Sequence, residues 1–178
     1  MEKHNRNKVK RVVVTGPEST GKTVLCEKLA KHYNTLYIPE YARDYVSGLG
    51  RKYTYEDIIY IARKQVELEA AYAIKARDVL FYDTYLVITK VWLEVVFKQS
   101  PVWITDILKQ KMVDIYLVCA PDIPWVPDDV RENGGEMREV LFKRYIAEIE
   151  HYGAPYRVIS GEQRFAMAKG IIDKLLYL

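Results

Sequence analysis

A chain of 178 residues with 49% hydrophobic and 29% charged side chains is long and apolar enough to bury a core, which excludes a disordered polypeptide or a disulfide-stapled mini-protein. Its 27 basic and 24 acidic side chains leave a formal charge of +3, too mild to demand nucleic acid as a partner but suited to a phosphorylated ligand. Cys26 and Cys119 have no metal-ligand spacing and read as buried small hydrophobes in a reducing compartment.

Residues 1–9 read as a solvated basic terminus, because no aromatic residue interleaves with the charges as in a nucleic-acid arm. The opening has no apolar signal-peptide core, and no stretch reaches the length of a membrane span. A cytoplasmic protein without membrane insertion is expected, with residues 1–178 forming one domain. Oligomeric state is left open.

Arg11 to Thr15 is a β-branched run predicted as a buried strand, and Val24 to Ala30 has helical spacing. Between them stands Gly16-Pro17-Glu18-Ser19-Thr20-Gly21-Lys22-Thr23, a G-x-x-x-x-G-K-T loop. In that strand-loop-helix setting, backbone N–H groups from Gly16 to Val24 converge on one concavity that suits nucleoside triphosphate phosphates. Lys22 is the cation for the β- and γ-phosphates, and the Thr23 hydroxyl is a candidate Mg²⁺ ligand.

Thr35 to Ile38 predicts a second strand, and Glu40 and Arg43 follow on one side of a helical turn. Groups just past a strand end face the ligand crevice of an open α/β sheet, so this pair is a candidate acceptor contact or else an exposed ion pair. Thr54 is predicted to cap a helix from Tyr55 to about Arg77, with Asp57 at the third position approximating a capping box and Ile58, Ile61, Ala62, Val66 and Ala70 forming the apolar face. Gln65, near its middle, is either a hydrogen-bonding contact for a substrate or, as is more common, a surface glutamine. Val79 to Asp83 predicts a strand that delivers Asp83 to the sheet edge beside the phosphate loop. There it can hold Mg²⁺ through water, or accept the proton of an attacking hydroxyl.

Thr84 to Lys98 predicts a helix whose Trp92 is either core or the wall of a pocket for a flat ring. Val113 to Cys119 predicts a further strand. The Pro- and Gly-rich stretch after it, about residues 121–138, predicts a mobile lid in which Arg131 or Arg138 folds over a transferring phosphoryl group. Met137 to Tyr152 predicts a helix, Tyr156 to Ile159 the last strand, and Gln163 onward a final helix. Gly161 lies in the turn where such folds bring backbone groups to the nucleotide base.

Thr15 to Thr23, Pro39-Glu40-Tyr41-Ala42-Arg43, Asp83-Thr84 with Thr89 to Trp92, and Pro121 to Trp125 followed by Asp128, Asp129 and Arg131 occur in one order across nearly the whole chain. In these segments the chain resembles the ribosylnicotinamide kinase domain of the NadR family. The resemblance implies a P-loop kinase of α/β class, three-layer αβα, with a five-stranded parallel sheet. It also implies ATP- or GTP-dependent, Mg²⁺-assisted phosphorylation of the 5′-hydroxyl of nicotinamide riboside. Glu40, Arg43, Asp83, Trp92, Trp125 and Asp128 would surround the riboside, while Lys22, Asp83 and Arg131 would serve transfer. Full-length relatives also carry a DNA-binding segment and an adenylyltransferase domain with a His-x-Gly-His signature. His4, His32 and His151 cannot form that signature, so neither activity is expected. Tyr85 stands where many relatives have an acidic residue, which argues against a metal site built on two carboxylates. Two rival readings are a kinase for another nucleoside or nucleotide, with Arg43 and Arg51 as added cations, and a nucleotide-hydrolysing switch.

Overall fold

The computed structural model describes residues 9–110 and 112–177, so nearly all of the basic terminus lies outside the described residues. Strand β1, Lys10–Thr15, is followed by helix α1, Lys22–His32, a two-residue strand β2, Tyr37–Ile38, and a short helix α2, Tyr41–Ser47. Then come α3, Tyr55–Ala73, β3, Val79–Asp83, and α4, Leu86–Phe97. The chain continues with α5, Val102–Lys109, β4, Ile115–Cys119, α6, Glu136–His151, β5, Tyr156–Ile159, and α7, Arg164–Tyr177.

The five strands form a parallel sheet in the order β2-β3-β1-β4-β5. Because β1 lies inside the sheet, the chain leaves it toward β3 and β2 and later returns to its other side through β4. The ends of β1 and β3 therefore border the topological switch where α/β sheets bind ligands. Alternation along the strands divides the core into two layers. Val13, Leu80, Tyr82, Tyr116 and Val118 pack with residues of α3, α4, α5 and α6. Val12, Val14, Phe81, Leu117 and Cys119 pack under α1 and α7. Both cysteines are buried and unbridged, and burial pushes their thiols up.

Local signals explain most boundaries. The Asp57 N–H donates to Thr54 Oγ1 at 3.4 Å and the Thr54 N–H donates to Asp57 Oδ2 at 2.7 Å, a reciprocal cap. That helix ends at Ala73, short of Arg77. The buried face of α3 carries Gln65 and Glu69 in line with Ile58, Ile61 and Ala62, whereas Ala70 faces solvent. Helix α5 was not foreseen, although Ile104 and Leu108, four apart, form its buried stripe. No described helix is long and apolar enough to cross a membrane.

Candidate functional site

The loop between β1 and α1 closes on itself in a way only its sequence permits. Gly16 has φ +137°, and a Cβ there would lie 2.5 Å from the Cys119 carbonyl oxygen. Thr20 Oγ1 and Lys22 Nζ both donate to the Pro17 carbonyl, at 2.8 and 2.7 Å, so Pro17 serves as a backbone anchor within the loop. Thr23 Oγ1 donates to Asp83 Oδ2 at 2.5 Å. The strand register sets Asp83 beside Val14, and the Thr84 N–H donates to the Val14 carbonyl at 2.9 Å. Thr84 turns away from the strand with φ +66°, a left-handed conformation that costs a non-glycine residue about 1–3 kcal/mol.

Asp83 is 1% exposed, and its second oxygen, Oδ1, has no partner among the described residues. Burial raises its pKa, with the Thr23 hydrogen bond and the Lys22 charge opposing. A buried carboxylate beside a hydroxyl, with one oxygen unsatisfied, fits a Mg²⁺ ion held through the Thr23 oxygen and a bound water.

From the loop a cavity of about 280 Å³ opens toward α2, α3, α4 and α6. Glu40 and Arg43 enter it from the start of α2, where Glu40 is the residue preceding the helix. Trp92, Ile88 and Val95 line it from α4, and Leu141 and Tyr145 from α6. Tyr53 meets Trp92 edge-on, their ring centroids 4.9 Å apart. In this wall Thr89 Oγ1 donates to Gln65 Oε1 at 2.8 Å, both side chains being buried. The shared bond directs the Gln65 oxygen to Thr89 and leaves its amide N–H groups as the donors. Burial raises the Glu40 carboxyl pKa, Lys22 pulling it down and Asp83 pushing it up.

The cavity gathers some of the candidate residues and leaves others outside it. Glu18, Ser19, Lys22, Thr23, Val24, Glu40, Arg43, Trp92 and Arg131 all border the cavity. Trp125 does not: its ring packs against Gly134, within 3.2 Å of where a Cβ would stand. Asp128 does not border it either, because its carboxylate is taken up by Arg43 and Arg131. Gly161 is set apart, its N–H donating to Asp122 Oδ2 at 2.6 Å. Asp83 faces Thr23 instead of the open space. Of the two arginines expected in a lid, Arg138 lies in α6 and is buried as a strut, donating to the Ile123 and Ser19 carbonyls at 3.0 Å each, which leaves Arg131 at the cavity. Arg51 is engaged by Asp57 at 2.7 Å and does not border the cavity.

Two groups run against the sequence reading or escape it. Gln65, read as a surface residue, is buried; its place three, four and seven residues beyond Ala62, Ile61 and Ile58 is the signal that finds it. Arg164 donates to the Thr20 and Ala120 carbonyls at 2.9 and 3.0 Å, clamping the phosphate loop from α7. No local pattern marks it.

Residues 11–164 match the AAA domain family. The chain belongs to that family. It is 30% identical over 148 residues to the trifunctional NAD biosynthesis/regulator protein NadR of Salmonella typhimurium, and 30% identical over 146 residues to NadR of Escherichia coli. Each alignment takes in 79% of this chain and 35% of the relative, so the chain spans about a third of the length of these relatives. A crystal structure of a NadR protein in complex with NR superposes with a TM-score of 0.86 at 21% identity, over 97% of this chain and 53% of that one. A deoxyadenosine kinase from M. mycoides superposes with a TM-score of 0.62 at 16% identity over 94% of this chain. The chain thus has the P-loop nucleoside-kinase fold within a phosphate-loop family.

Proposed function

We propose that this chain transfers the γ-phosphoryl group of ATP, or GTP, to the 5′-hydroxyl of nicotinamide riboside, giving nicotinamide mononucleotide for NAD salvage. The observation that carries the reading is the one cavity shared by the phosphate loop, the half-buried Glu40 carboxylate and the Trp92 and Tyr53 rings. A cationic pyridinium favours aromatic faces and a nearby carboxylate, and the Gln65 amide suits the ring's carboxamide oxygen. The similarity to NadR supports the same acceptor.

Lys22 leaves the Pro17 carbonyl to reach the β- and γ-phosphates. Thr23 and Asp83 would hold Mg²⁺, which when bound offsets charge on the phosphate oxygens. Glu40 is assigned to the acceptor hydroxyl, since it borders the cavity while Asp83 is tied to Thr23. The hydroxyl oxygen forms its bond to the γ-phosphorus as the bond to the ADP oxygen breaks, and its proton passes to Glu40. Arg131 stabilises the charge that develops on the transferring group.

A phosphorylated acceptor would need further cations, and the engagement of Arg51 by Asp57 leaves the riboside as the better fit. The test is ADP release from ATP and Mg²⁺ with nicotinamide riboside, nicotinamide mononucleotide, cytidine, thymidine or no acceptor, with product mass recorded. Stimulation by the riboside alone, with a mass gain of one phosphate, supports the proposal. Release indifferent to every acceptor points instead to a nucleotide-hydrolysing switch.

A further inference from the structure

The loop between β4 and α6 is fastened to the phosphate loop at several points. Ser19 Oγ accepts from the Val126 N–H at 3.0 Å, and the Glu18 carboxylate accepts from the Asn133 N–H at 2.9 Å and from its side-chain amide at 3.0 Å. Toward the acceptor side the loop reaches out through two carboxylates: Glu132 Oε2 accepts from the Tyr53 hydroxyl at 2.8 Å, and Asp128 gathers two arginines. Asp128 Oδ1 accepts from the backbone N–H groups of Val130 and Arg131 at 3.0 Å each. Its Oδ2 is hydrogen-bonded by the Arg43 guanidinium and lies 3.2 Å from Arg131 Nε. Both arginines border the cavity, whereas Asp128 does not.

Charge and geometry give this arrangement a consequence. Two guanidinium groups at one cavity mouth repel, and a carboxylate between them cancels one charge and helps orient both planar groups, Arg131 being held by the Val126 carbonyl as well. Burial works against the Asp128 charge, but Arg43 and the two N–H groups outweigh it and hold the carboxyl at about 2. It is therefore ionised at any working pH.

We propose that Asp128 is a positioning residue: it joins the loop to α2 through Arg43 and aims Arg131 at the phosphoryl group. The inference rests on the kinase reading for its catalytic consequence, though not for the link itself. The setting of Arg131 within the loop then depends on Arg43 on the acceptor side, through the carboxylate they share. Acceptor side and phosphoryl side are made ready together.

The Asp128→Asn variant separates this role from that of a plain turn residue, since the amide keeps an oxygen for the Val130 and Arg131 N–H groups, while its NH2 neither carries charge nor accepts from the two guanidinium groups. With the best acceptor of the panel, kcat should fall about tenfold or more while the Kd for a fluorescent ADP analogue changes less than about twofold. Arg43→Ala should lower kcat as well, and adding it to Asp128→Asn should cost little more, because both remove one link. Hydrogen exchange across residues 126–133, measured without acceptor, should quicken in each single variant. If no acceptor is turned over, the kinase reading falls and exchange alone decides the link. Parental kcat in Asp128→Asn, losses that multiply in the double variant, or parental exchange in both single variants would each overturn the proposal.

Discussion

Gly16 offers the sharpest test of how the phosphate loop is seated. An alanine Cβ would stand 2.5 Å from the Cys119 carbonyl oxygen and 3.2 Å from the Cys119 Cβ. The first of these approaches is about 1 Å inside ordinary contact near 3.5 Å. The obstacle is main chain of a central strand, so no rotamer change relieves it; either β4 or the loop must move. Overpacking of this kind costs about 1–3 kcal/mol, and a non-glycine residue at φ +137° adds about 1–3 kcal/mol of strain. Gly16→Ala should therefore lose about 2–6 kcal/mol by urea denaturation, since both penalties act at one residue. Part of the strain is relieved by moving the loop amides, so affinity for an ATP analogue should weaken at least about tenfold. Gly161→Ala is the control: its φ is +71° with nothing within 4 Å of the added Cβ, so only the left-handed penalty of about 1–2 kcal/mol applies. Parental stability in Gly16→Ala, or equal losses at the two glycines, would refute the steric argument.

Asp83→Asn keeps an acceptor for Thr23 and removes a buried charge; it should unfold at no lower denaturant than the parent while phosphoryl transfer falls about 100-fold or more, and retained turnover would remove Asp83 from the machinery. Gln65→Leu should raise the acceptor KM about tenfold with nucleotide affinity unchanged, and a parental KM would return Gln65 to a packing role. Arg164→Ala leaves the Thr20 and Ala120 carbonyls without their donor, which should cost about 1–3 kcal/mol of stability and weaken nucleotide binding without changing acceptor KM. The Arg51 guanidinium and the Thr54 N–H hold the Asp57 carboxyl well below the usual carboxylate range. A depressed folded pKa contributes stability above the unfolded value, about 3.9, that is lost as pH falls through the folded one. Acid melts below about pH 4 should thus show a smaller loss in Arg51→Ala than in the parent, and parallel curves would sink the assignment.

The sequence by itself determined the elements whose causes are local. The β-branched run into Gly16, the glycines and Lys22-Thr23 of the loop, the Thr54 and Asp57 cap, and the apolar run ending at Asp83 each follow from residue type and short spacing. These features needed only a period of two or 3.6, a positive φ or a capping hydroxyl. Tertiary structure alone decided which of Arg131 and Arg138 reaches the cavity, that Trp125 covers Gly134, and that Asp128 meets two arginines. It also brought Arg164 to the phosphate loop, 144 residues away in the chain. Pairings of that kind depend on how the β1, β3 and β4 ends meet at the switch point, a relation set by sheet order that no local window of residues contains.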